Sequence, residues 1–88
     1  MADHTRNICD ADWHASQGDK VTFVNNTPKD CVIKQYQSKP WPFRDGSPIP
    51  AKAGGTAITH LKNPLANGQY QYDVDCCKTR TPKNVTVP

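Results

Sequence analysis

The chain has 88 residues, with 11 Lys or Arg against 8 Asp and a net charge of +3, a length that holds one domain (1–88) and no second core. The basic residues are dispersed instead of massed in runs, which gives no nucleic-acid footprint by charge, and no apolar stretch approaches the ~18 residues of a membrane-spanning helix. Every acidic residue is Asp, and 5 Gly with 8 Pro punctuate the chain, so helix is disfavoured and short strands joined by turns are expected.

Met-Ala-Asp-His-Thr-Arg opens the chain without the apolar segment of a secretory signal, a start common to cytoplasmic proteins and to mature exported domains. Residues 1–5, His4 among them, are expected to fray, and residues 6–9 to form a short first strand. His14 falls in a loop, "HASQG", that leads to "DKVTFVNN" (19–26), where Val21 and Phe23 alternate with Thr22 and Val24 as in a strand with one buried face. "NNTPKD" turns the chain into "CVIKQYQ" (31–37), with Cys31 and Ile33 on one face. The four prolines of "SKPWPFRDGSPIP" (38–50) predict a loop without regular structure. "GGTAITHLK" (54–62) is the next strand, "NPLANG" a turn, and "GQYQYDVDCC" a strand over 69–77 with Tyr70, Tyr72, Val74 and Cys76 on its dry side. "KNVTVP" (83–88) closes the chain with Val85 and Val87 together. Six or seven strands of this kind predict an all-β fold, a small Greek-key β-sandwich or barrel.

The adjacent Cys76 and Cys77 admit three readings: metal ligands, a redox centre, or halves of two structural disulfides. An even count of four cysteines in a short chain favours disulfides among Cys9, Cys31, Cys76 and Cys77, and with them a secreted or periplasmic location. If the thiols stay reduced, Cys31, Cys76 and Cys77, with His60 or His14, are soft ligands suited to copper(I) or zinc. Redox catalysis lacks a Cys-x-x-Cys, and the three scattered His supply no base beside a nucleophile, so no enzyme is expected. The Pro-flanked Trp41 and Phe43 form either an interaction surface or a lid folded back on the sandwich, and burial of aromatic area favours the lid. Lys78, Arg80 and Lys83, with Lys29, are expected either to be part of a solvated surface, the favoured reading, or to form a basic rim that an anionic partner uses. Asn84-Val-Thr86 has the pattern of a glycosylation sequon and carries no conclusion.

"GDKVTFVNN", a strand starting at Cys31, "IPAKAGGTAITHL", "GQYQYDV" and a terminal "NVTVP" follow one another in an order that resembles the cupredoxin fold of plastocyanin-like proteins over about residues 18–88. In that family a copper ion is held by two His, a Cys and usually a Met. The resemblance places the first His position on Cys31, the Cys position on Val74 and the second His position near Cys77. The closing loop holds Lys78, Thr79, Arg80, Thr81 and Pro82, and the only Met is Met1. The resemblance therefore implies the fold without type-1 copper, hence no cofactor, and a monomeric structural or interaction module with a protein partner the sequence does not name. It also implies that Cys31 lies near Cys76 or Cys77, because residues matching ligands of one ion lie close together. A bridge there closes a loop of about 46 residues and contributes roughly 4 kcal/mol in the chain-entropy model. Position favours Cys77 as the partner and the inward face favours Cys76; Cys31–Cys77 is the expectation, leaving Cys9 for Cys76.

Overall fold

Residues 2–79 and 81–88 are described in a computed structural model of the chain. They form eight strands and no helix: β1 (Asp3–Asn7), β2 (Asp12–His14), β3 (Lys20–Val24), β4 (Cys31–Gln35), β5 (Ile49–Ala51), β6 (Thr56–His60), β7 (Gly68–Val74) and β8 (Lys83–Val87). A three-stranded sheet runs in the order β1-β3-β6 and a five-stranded sheet in the order β2-β8-β7-β4-β5. Both sheets are mixed, because β1 lies parallel to β3 and β2 parallel to β8 while the remaining pairs are antiparallel.

Period-two burial explains why these segments are strands. Val21 and Phe23 of β3, Cys31 and Ile33 of β4, Ala57 and Thr59 of β6, Tyr72 and Val74 of β7, and Val85 and Val87 of β8 are all buried, and their sequence neighbours are less so. At the centre, Phe23, Phe43 and Tyr72 meet edge to face with centroids 5.4 to 6.0 Å apart, and Trp13 packs on Phe23 at 6.0 Å. Each such pair adds roughly 0.5–1.5 kcal/mol beyond the area it buries. Trp13 Nε1 donates to Tyr72 Oη at 2.8 Å, so the one polar group of each buried ring system has a partner. Burial pushes the Tyr72 phenol well above its ordinary value, which keeps it neutral in that role.

Four expectations are corrected. Residues 1–5 were expected to fray, but Asp3–Asn7 pair along their whole length with β3, and His4 Nε2 donates to Asp19 Oδ2 at 2.9 Å. His14 lies in β2, not in a loop. The Pro-rich 38–50 loop runs into β5, where Pro50 opposes Val32; at an edge strand a missing N–H forfeits no bond on the open side. The last long strand stops at Val74, and Asp75 and Cys76 form a turn.

Phe43 is wholly buried and bridges to Leu61, so it is a core residue and not part of an interaction surface. Trp41 is half-buried, stacks edge-on against Phe43 at 5.1 Å and donates from Nε1 to the Asp45 carbonyl at 2.7 Å. Thr59 Oγ1 donates to Asp45 Oδ2 at 2.7 Å, tying the same loop to β6. The aromatic loop is therefore folded back against the sandwich.

At the end of the sandwich where β3 begins, Asp19 is nearly inaccessible. Burial works against its charge, but the backbone N–H of Ala2, the His4 ring and the backbone N–H of Ser16 all donate to the carboxylate and hold it down at about 2, against an ordinary 3.8. The unfolded chain thus binds this proton more readily than the folded one. The resulting stabilisation is complete above the ordinary value of 3.8 and is lost as the pH falls through about 2. Acid unfolding followed by circular dichroism is expected to show a fall in stability over that window that is shallower in Asp19→Asn; identical slopes in the two proteins would refute the assignment.

Candidate functional site

The candidate site is built where β1, the β3–β4 loop, the turn after β7 and the start of β8 meet. Ile8, just past β1, donates its backbone N–H to the Val24 carbonyl at 2.9 Å, which brings Cys9 to the exit of β3. Buried Asn25 fixes the following loop: its Nδ2 donates to the carbonyls of Lys29 and Ala51, both at 2.9 Å, and its Oδ1 accepts from the Thr27 N–H and hydroxyl. Asp75, in the turn, accepts from the Val32 N–H at 3.0 Å and ties that turn to β4.

The turn at 75–76 decides the sulfur pairing. Cys31 at the head of β4 is bonded to Cys76, with Cα atoms 5.4 Å apart, and Cys9 is bonded to Cys77 at 5.7 Å. The expected Cys31–Cys77 and Cys9–Cys76 pairs are therefore exchanged. That expectation followed the family position, which favours Cys77; the inward face, which favours Cys76, gives the observed partner, and Cys77, beyond the end of β7 at Val74, lies in the core at 6% exposure. The two bridges do different work. Cys31–Cys76 joins β4 to the turn after β7, its neighbour in the five-stranded sheet, while Cys9–Cys77 ties the segment after β1 of the smaller sheet to the segment after β7 of the larger.

All four sulfurs lie at one pole. One ligand atom each from Cys9, Cys76 and Cys77 lie within 4.8 Å of one another, as do those of Cys31, Asp75 and Cys76. His60 does not join them. It pairs with Lys20 at the far end of β3, four residues from the Val24↔Thr56 pair beside the cysteines, or about 13 Å at ~3.3 Å per residue. Exposed His14 sits opposite Thr86, three residues beyond Lys83, and does not join them either. Asp75 was not among the expected site residues; its place beside the sulfurs follows from a turn that no period in the sequence announces.

Beside the bridges opens a cavity of about 460 Å³, walled by Asn26, Thr27 and Pro28 from the β3–β4 loop and by Cys9, Cys76 and Cys77. Lys29, Lys78 and Lys83 also line it. Lys29 and Lys78 are exposed, as a basic rim requires, but Lys83 is only 2% exposed: it occupies the inward face of β8, and its Nζ donates to the carbonyls of Thr79 and Thr81 at 3.2 Å. Arg80, the other member of the expected rim, lies outside the described residues.

Comparison with protein families, with curated proteins and with solved structures finds no match to this chain. What is established is an all-β protein of eight strands in two mixed sheets, held by two disulfides, with no helix long and apolar enough to cross a membrane among the described residues.

Proposed function

We propose that the chain is a cupredoxin-like, Greek-key domain in which disulfides occupy the pole that family members give to copper, and that it serves as a non-enzymatic, monomeric, exported structural or interaction module. The observation that carries this is the meeting of Cys31 with the Cys76-Cys77 turn, since Cys31 stands at the matching position of one copper-ligating His and Cys77 near that of the other. Two-sheet packing with buried alternate residues supports the same reading. Paired sulfurs favour an oxidising compartment. Ile58 is the sole large apolar side chain well exposed among the described residues, which supports a monomer.

Intact-mass analysis with thiol alkylation, before and after reduction, tests the proposal. Protein isolated from an oxidising compartment is expected to carry two bridges, and added Cu(II) to give no copper–thiolate absorption band. Four free thiols with stoichiometric copper or zinc, lost on Cys31→Ala, would overturn it and favour the second reading, a soft-metal binding protein. That reading rests on the spacing of the sulfurs within 4.8 Å, which after two-electron reduction of each bridge by a dithiol leaves thiolates already gathered around one point.

A further inference from the structure

We propose that the cavity beside the disulfides is a binding site for a small ligand that carries an oxyanion, carboxylate or phosphate, on an apolar body. Three features of the wall lead to this. Among the described residues that line the cavity, three are lysines and none is acidic, so the cavity concentrates positive charge. One of the three is buried: Lys83 sits at 2% exposure, and no described carboxylate lies within 4.0 Å of its ammonium. Among the described residues its hydrogen bonds go to two neutral carbonyls and to no anion, whereas an ammonium has three N–H groups to offer. A buried cation without a counter-charge is costly, and an anion in the cavity relieves that cost.

The remaining wall sets the rest of the ligand. Cys9, Cys76 and Cys77 present disulfide sulfur and methylene, and Pro28 adds a ring, so the floor is apolar where the lysines are not. The volume, about 460 Å³, lies within the roughly 300–1,000 Å³ typical of small-molecule pockets and exceeds what a bare inorganic ion fills. Lysine offers a point charge on a flexible stem, a match for carboxylate and phosphate alike. The Asn25 clamp and the two bridges hold the wall in place before binding, so little ordering cost falls on association.

This inference rests on the oxidised pole described under the proposed function but not on the fold family. The test is a titration of the isotopically labelled, disulfide-intact protein with phenyl phosphate, benzoate, inorganic phosphate and the neutral benzyl alcohol, read by amide chemical shifts. Phenyl phosphate or benzoate is expected to shift the amides of Asn26, Thr27, Lys78 and Thr79, with the tighter of the two naming the head group, and to bind about tenfold more tightly than inorganic phosphate or benzyl alcohol. Lys83→Met is expected to weaken binding at least about tenfold. Because Lys83 is buried, Lys29→Met/Lys78→Met serves as the second variant: both side chains are exposed, the fold is kept, and binding weakens about threefold to tenfold as the salt dependence falls. No shifts at these amides up to about 10 mM ligand, or benzyl alcohol binding as well as benzoate, would overturn the site. Mass analysis of the same sample shows whether the bridges were intact, which separates failure of this inference from failure of the disulfide reading.

Discussion

Replacing Cys31 and Cys76 together by alanine lowers the unfolding free energy by about 4 kcal/mol in the chain-entropy model, and the Cys9→Ala/Cys77→Ala pair costs slightly more. The difference comes from loop length, since the bridges span sequence separations of 45 and 68 residues. Against a total of roughly 5–15 kcal/mol for a natural domain, either loss is severe, and reduction of both bridges leaves little or no folded protein at ambient temperature. The two loops overlap, so the first bridge removed costs less than the second, which carries the full loop-closure term. Urea unfolding followed through the fluorescence of Trp13 and Trp41 measures these values. A loss below about 1 kcal/mol for either pair would mean that the bridge decorates a sandwich already stable without it.

Phe43→Ala is expected to cost about 3–5 kcal/mol, the range for truncating a fully buried phenylalanine. The ring is wholly inaccessible and touches Phe23, Tyr72 and Trp41, so its removal opens a cavity at the meeting point of three aromatic contacts. Trp41→Ala removes a half-buried ring and the hydrogen bond to the Asp45 carbonyl, and its cost is smaller. Thermal or chemical denaturation of the two variants decides between lid and docking surface: a Phe43→Ala protein as stable as the parent would return the loop to the solvent.

The long strands were legible because an exposed–buried alternation of five or more residues leaves a period that sequence displays. β2 and β5 were not, for a physical reason: a three-residue strand turns one or two side chains inward, Trp13 in one and Ile49 with Ala51 in the other, too few to define a period. The pole shared by Cys31 and the Cys76-Cys77 pair was foreseen, yet the pairing was exchanged because the family position was given more weight than the inward face that Cys76 shares with Tyr72 and Val74. Lys83 was expected on a solvated rim. In β8 it shares the face of Val85 and Val87, so strand geometry carries it inward, and only the carbonyls of Thr79 and Thr81, brought back by the preceding loop, make its burial tolerable. Asn25 gave no signal at all, because a buried amide that ties a loop to a neighbouring strand is recognised by where its partners lie.

The bond between Cys9 and Cys77 also determines how the chain bears mechanical load. Tension entering before residue 9 and leaving after residue 77 passes through the sulfur–sulfur link and bypasses the intervening segment. Fully drawn out, that segment would measure about 230 Å at ~3.4 Å per residue. A stretching experiment on the oxidised chain therefore releases only the short flanking pieces, and the hidden length is yielded when a reductant cuts the link.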